Sequence, residues 1–478
     1  MQASKSLTPR HKKEVDMLSG SIMKGIMTIA IPIMLMNVLQ SLFNIIDMTI
    51  LKMYDTDGGY SVGAVGASGT LISFITGLAI GVAAGANVVV ARYIGKGDKE
   101  GVDRSVGTAL VFSVISGVAL LIIGVCFAEF FLGLVNCPTR FFDKAVLYFR
   151  LYFSGMPFFT FYNFAAAILR SAGDSRRPMI YLTLGSIAKV VLTFLLVGVF
   201  KMEIVGVSIA TISTWLITSV LIAVALIRDG GIVTMNFKKL RIYGEQLKEM
   251  LRIGIPTGLQ QALYSLANLV IAGAVNTYGS DEITRANAST GVSIANNFDG
   301  ILYQIATAPA LAVMPYVSQN VGAKSIKRAR EAIWKGILIT LMFGGCMGAL
   351  SAIFSAQLSS IMSSNPEVIR FSQQKMMLVS STYFICGINE ILGAGLKGMG
   401  KPMIPMIATM IFMCAIRFPW VWFVYPLFPN LTFLYTIWPI GWVLSIITVS
   451  CFLIPTSRNL QKKFDREKQV TIQEFEIA

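Results

Sequence analysis

Long apolar runs separated by short polar segments organise this chain. A run of about 20 apolar residues is long enough to cross a bilayer as a helix. Such runs predict helices near 24–51, 62–92, 106–133, 145–169, 178–200 and 204–227. A second set is predicted near 250–278, 288–320, 332–361, 371–396, 403–425 and 431–456. Several exceed 20 residues, as tilted helices that protrude into water do. The first 22 residues are polar and lack an apolar core with a cleavage site, so no removable signal peptide is expected and the first span should direct insertion.

Composition points the same way. Of 478 residues, 55% are hydrophobic and 14% charged, with a mean hydropathy of +0.68. A soluble protein carries about a quarter charged residues. The net charge of +15 raises the question of nucleic acid, and the placement of the basic residues answers it. Both tails and the even-numbered loops hold 30 Lys and Arg. The odd-numbered loops and their margins hold 8, namely Lys52, Arg140, Lys144, Arg150, Lys201, Arg285, Arg370 and Lys375. That asymmetry predicts cytoplasmic termini in a multi-pass protein of the inner (plasma) membrane. Lys189 and Arg417 fall inside spans.

Histidine occurs once, at His11, which argues against His-based zinc sites and Ser-His or Cys-His catalysis in the body of the chain. The six cysteines show no CxxC spacing and read as small hydrophobic residues.

The sequence repeats at an offset of 224–227 residues. IAIPIMLMNVLQSLFNIID from Ile29 aligns with IGIPTGLQQALYSLANLVI from Ile253, so Pro32 meets Pro256, Ser41 meets Ser265 and Asn44 meets Asn268. RYIGKGDKEGVDR aligns with QNVGAKSIKRARE, Gly95 on Gly322, and ILRSAGDSRRPMI with LGAGLKGMGKPMI, Gly173 on Gly400. Duplication of a six-helix unit follows. The expected fold is an all-α polytopic membrane protein of twelve transmembrane helices. It comprises a tail 1–23, an N-lobe 24–227, a linker 228–249, a C-lobe 250–457 and a tail 458–478. Two parallel repeats suit a transporter that rocks around a central cavity.

PIMLMNVLQSLFNIIDMTIL in the first span, VGAVGASG and GANVVVARYIGKGD around the second, AILRSAGDSRRPM and VSQNVGAKSIKRAR together resemble the MATE (multidrug and toxic compound extrusion) family of bacterial antiporters. The resemblance covers both halves and most of the chain. It implies a twelve-helix exporter of organic, often cationic, compounds in exchange for protons or sodium ions, with no cofactor.

Ionisable side chains near mid-bilayer are functional candidates because each costs about 2.5–3.5 kcal/mol to insert. Asp47 lies deep in the first span, and its repeat mate is Ile271, so the duplicated fold does not itself demand an acid there. Asp47 resembles the family's N-lobe cation-coupling carboxylate, with Asn44 and Asn163 as expected partners. Asn163 aligns with Glu390, the acid of span ten. In one family branch an acid in this helix lies a turn earlier, where this chain has Cys386. Asn296, Asp299 and Tyr303 share one helical face, as do Gln260, Tyr264 and Asn268, and both stripes are expected to line the substrate cavity, since polar groups facing lipid would be unpaired. The family branch with a glutamate in span seven has its acid where this chain has Tyr264.

Lys189 and Arg417 are repeat-equivalent within one position. Many family members carry Asn and, a turn later, Asp in span five; this chain reads Lys189 and Thr193. Three readings stay open: Lys189 pairs with Asp47 and is displaced by the incoming cation, both bases meet anionic substrate groups, or both snorkel towards headgroups. GAVGASG lacks the strand and Lys-Ser/Thr of a phosphate loop and is expected to permit close helix packing. Phe161, Tyr162, Trp215 and Tyr303 are candidate cation–π contributors. The sequence thus predicts a monomeric antiporter of small organic molecules in the bilayer. The alternatives are a flippase or exporter of a lipid-linked or anionic metabolite, and a membrane-embedded enzyme.

Overall fold

The computed structural model of the protein describes residues 14–54, 60–135, 137–228, 231–279 and 281–477; His11 lies outside them. Helix dominates among the described residues. The first half supplies α1 (Ile22–Tyr54), α2 (Tyr60–Lys96), α3 (Lys99–Cys126), α4 in two segments (Phe142–Ser154 and Met156–Ser171), α5 (Arg176–Val199) and α6 (Glu203–Arg228). The second supplies α7 (Gly244–Asn276), α8 (Glu282–Gly322), α9 (Ile326–Ile353), α10 (Pro366–Gly398), α11 (Met403–Leu427) and α12 (Ile437–Ile477). Each coincides with a predicted span. The main difference is at the end of the chain, where α12 continues as a polar helix to Ile477.

The helices that depart from regular geometry do so for identifiable reasons. α4 breaks at Gly155, where an added Cβ would lie 2.7 Å from the Trp215 ring, so only glycine admits that indole. α5 ends in a π-helical stretch, Phe194–Val199. Its repeat counterpart α11 carries two, Met410–Ala415 and Trp420–Val424. A π turn inserts a residue into the helical ladder and re-aims the side chains around it. Thr193 immediately precedes the first of these stretches with Lys189 one turn before it, and Arg417 falls between the other two.

The chain forms two compact units. One comprises 31–90 and 99–265 with the described start of the chain at Glu14; the other comprises 15–30, 91–98 and 266–477. In the first unit, Phe149 stacks on Phe153 with centroids 4.4 Å apart, and Tyr152 meets Trp215 edge-on at 4.9 Å. Aromatic packing of this kind adds about 0.5–1.5 kcal/mol per pair beyond the area buried. In the second unit, α8 packs against α9 and α10, burying Tyr316 completely.

Close helix packing extends beyond the glycines of GAVGASG. In GAVGASG, Ala64 and Ser68 are fully buried and a Cβ on Gly63 would lie 3.1 Å from the Phe141 ring, whereas Gly66 and Gly69 face no described side chain or neighbouring helix within 4 Å. A tighter crossing lies further along α2, against α7. A Cβ on Gly81 would sit 2.1 Å from Gly258 Cα, and one on Gly85 would sit 2.2 Å from the Met250 carbonyl oxygen. Backbones approach this closely only where both helices present small residues.

Candidate functional site

In the first unit, α1 carries Asp47 and α5 carries Lys189 and Thr193. Lys189 Nζ lies 2.6 Å from Asp47 Oδ2, and Thr193 Oγ1 donates to Asp47 Oδ1 at 3.0 Å. Both carboxylate oxygens are therefore engaged. Asp47 is 4% exposed and Thr193 fully buried. Such a pair is costly to split, because removing one partner strands the other charge at about 3–5 kcal/mol. Tyr148 stands within electrostatic reach of Asp47.

The expected amide partners lie elsewhere. Asn163 donates its side-chain N–H to the Phe159 carbonyl of its own helix at 2.8 Å, and Asn44 is exposed. Lys189 and Thr193 hold the carboxylate instead. Of the three readings of Lys189, its geometry matches the pairing and does not match snorkelling.

The second unit holds a larger constellation. Asp299, buried on α8, accepts from Ser380 Oγ at 2.8 Å and lies 2.9 Å from Lys375 Nζ. Lys375 also donates to Asn296 Oδ1, so two members of the predicted α8 stripe grip one lysine. Arg417, 2% exposed, donates through Nη1 to Asn268 Oδ1 at 2.8 Å. Trp438 lies close to both bases, its ring centroid 5.6 Å from Lys375 Nζ and 5.1 Å from Arg417 Cζ. Both distances are in the cation–π range.

Glu390 is buried on α10, with Lys397 buried on the same helix and within electrostatic reach. Tyr303, half-buried, is within electrostatic reach of Glu390 and Cys386. Gln260 is buried and Tyr264 half-buried in the first unit, whereas Asn268 belongs to the second.

Two residues of this constellation carry little signal in the sequence. Lys375 falls at an outer-loop margin by apolar length, but it is 2% exposed and engaged by Asp299. A lysine four residues into the predicted 371–396 span was the available signal. Trp438 has no sequence signal beyond being aromatic near the start of span twelve.

The match to known families is decided over most of the chain. The sequence model described as MatE matches residues 32–195 and again 256–423, once in each half. Both matches begin at repeat-equivalent prolines, Pro32 and Pro256. The chain belongs to the MatE family. MatE members are transporters and not enzymes, and this chain is accordingly a multi-pass membrane transporter of an efflux family. It is similar to "Probable multidrug resistance protein YoeA" of Bacillus subtilis (strain 168), 26% identical over 407 residues, covering 84% of this chain and 86% of that one. It is also similar to a protein named "FAD transporter" from Shewanella oneidensis, 24% identical, covering 84% and 87%. Its fold matches the outward-facing structure of a MATE multidrug resistance transporter with a TM-score of 0.86 at 23% identity, covering 95% of this chain and 100% of that one.

Proposed function

We propose that this MatE member is an ion-coupled antiporter that exports organic compounds by alternating access, with Asp47 as the coupling carboxylate. The observation that carries the reading is the buried Lys189–Asp47 pair. A carboxylate already neutralised by an ammonium gives an arriving cation a group to compete for. When a proton or sodium ion takes Asp47, Lys189 is released and the local charge rises by one. Substrate then leaves on the outside. Discharge of the ion inside restores the pair and resets the site. One elementary charge moving inward through 100 mV supplies about 2.3 kcal/mol, enough for roughly a 40-fold substrate gradient at 1.4 kcal/mol per tenfold.

The proposal includes lobes 24–227 and 250–457 joined by 228–249, a monomer in the inner membrane with both termini cytoplasmic, and Asn163 and Glu390 as matched positions that tune ion binding. The charge asymmetry of the loops supports that orientation. The leading substrates are organic cations, in keeping with the multidrug-resistance name of its relative.

A second reading of the substrate has its own observation. Arg417 and Lys375 both lie close to Trp438, an arrangement that suits a flat compound carrying an anionic group, and one relative is named for FAD. Efflux from proteoliposomes of a fluorescent organic cation and of a flavin, each under imposed proton and sodium gradients, tests both. Gradient-driven cation efflux supports the first reading, flavin efflux alone supports the second, and transport of neither under any gradient contradicts antiport.

A further inference from the structure

The second unit carries a groove with a volume of about 590 Å³, whose lining on α10 flanks Glu390 but does not include it. α9, α10 and α12 form it. Its floor is aliphatic, including Leu392 and Leu453, and follows α12 over residues 446–458. At 1.5 Å per residue that stretch is about 18 Å long, close to one leaflet of a hydrocarbon core about 30 Å thick.

One end of the groove is basic. Arg330 and Arg458 line it together with Ser457 and Trp334. Arg330 Nε donates to Ser457 Oγ at 3.1 Å, and Ser457 in turn donates to the Ile454 carbonyl at 2.9 Å. That relay fixes the guanidinium plane while using one of its nitrogens. No carboxylate among the described residues pairs with Arg330 or Arg458. Some other basic side chains at polar helix ends do have acids: Lys324 with Glu467, and Lys99 and Lys239 with Asp103. Asp103 is also the repeat counterpart of Arg330, so the fold places no base there for its own sake. Trp334 is 68% exposed one turn deeper than Arg330, the position of an indole at a headgroup boundary.

Two guanidinium groups without acids, an interfacial indole and a leaflet-length apolar channel match one ligand class. We propose that this groove binds an anionic phospholipid, its phosphate held by Arg330 and Arg458 and one acyl chain lying along Leu392 and Leu453. Basic pockets between transmembrane helices bind acidic headgroups in this way. The lipid comes from the cytoplasmic leaflet, a clause that rests on the orientation proposed above; binding itself does not.

The test is thermal unfolding and native mass spectrometry of the purified, detergent-solubilised full chain titrated with phosphatidylglycerol or phosphatidylcholine of the same acyl chains. Two basic side chains at a headgroup favour the anionic lipid by about thirtyfold. Phosphatidylglycerol is expected to bind with that preference, and the Arg330→Gln/Arg458→Gln double variant is expected to lose it. Arg458 is exposed, so Arg458→Gln alone keeps the test readable if the double variant does not fold. Leu453→Trp, which fills the channel, should displace the tail and weaken both lipids. Equal binding of the two lipids, or an undiminished preference in Arg458→Gln, overturns the proposal. So does a stabilisation by glycerol 3-phosphate equal to that by the whole lipid, which would make the site one for soluble anions. None of these readouts depends on transport.

Discussion

Lys189 reaches across from α5 to within 2.6 Å of Asp47 on α1, where Thr193 holds the second carboxylate oxygen. If this lysine is the competitor of the coupling ion, removing it separates affinity from turnover. Lys189→Met should lower the concentration of driving cation that half-saturates transport by about tenfold, since 1.4 kcal/mol of lost competition suffices. Maximal efflux should fall, because nothing displaces the ion inside. Thr193→Val, which removes one hydrogen bond worth about 1 kcal/mol, should shift the same half-saturation point less. Ion titrations of efflux in proteoliposomes check both; an unchanged half-saturation in Lys189→Met contradicts the competition.

Trp438 joins the two bases of the second unit. Trp438→Leu keeps an apolar side chain there but removes the ring facing Lys375 and Arg417. Each such contact is worth about 0.5–2 kcal/mol. Transport of flat aromatic substrates should weaken several-fold in KM, while a small non-aromatic substrate is unaffected. Competition assays with both substrate types measure this directly.

Glycine position, and not glycine content, governs the α2–α7 crossing. Gly81→Leu puts a side chain into the Gly258 backbone and should destabilise the first unit by about 1–3 kcal/mol or more, as overpacking does. Gly66→Leu, with no described side chain or neighbouring helix within 4 Å of its Cβ, should leave the melting temperature in detergent nearly unchanged. Equal effects at the two sites would show that the crossing is not packed as described.

A fourth expectation comes from the repeat. Gly97 takes φ +73°, and Lys324 at the equivalent place takes φ +58°. A left-handed conformation costs an L-residue about 1–2 kcal/mol, whereas glycine adopts it freely. Lys324→Gly relieves that strain and gives up an exposed ion pair with Glu467, worth about 0–1 kcal/mol, and a contact over the Phe464 ring, worth about 0.5–1 kcal/mol. The net result should be a gain of up to about 1 kcal/mol, seen as a raised midpoint in thermal unfolding.

Much of the fold was legible because bilayer insertion imposes a coarse, local rule: apolar length. Every span appeared where its apolar run stood, and the repeat alignment holds in the backbone itself, where Gly173 and Gly400 both take positive φ, +90° and +82°. Site chemistry was legible only where it broke that rule. Asp47, Asp299, Lys189 and Arg417 stood out as charges in apolar runs. Lys375 did not, because it lies close enough to a span's end to be counted with a loop. The choice of Lys189 over Asn44 or Asn163 as the partner of Asp47 depends on which face of α5 meets α1, a tertiary relationship. Periodicity at 3.6 residues per turn puts Lys189 and Thr193 on one face but does not say which helix that face meets.

The most direct test of the coupling claim runs the transporter backwards. Proteoliposomes preloaded with coupling ion are given an inward substrate gradient, and substrate-driven ion release is recorded for wild type and Asp47→Asn. The account predicts stoichiometric ion movement in wild type and none in Asp47→Asn, with substrate still bound by the variant. Undiminished substrate-driven ion movement in Asp47→Asn would contradict it.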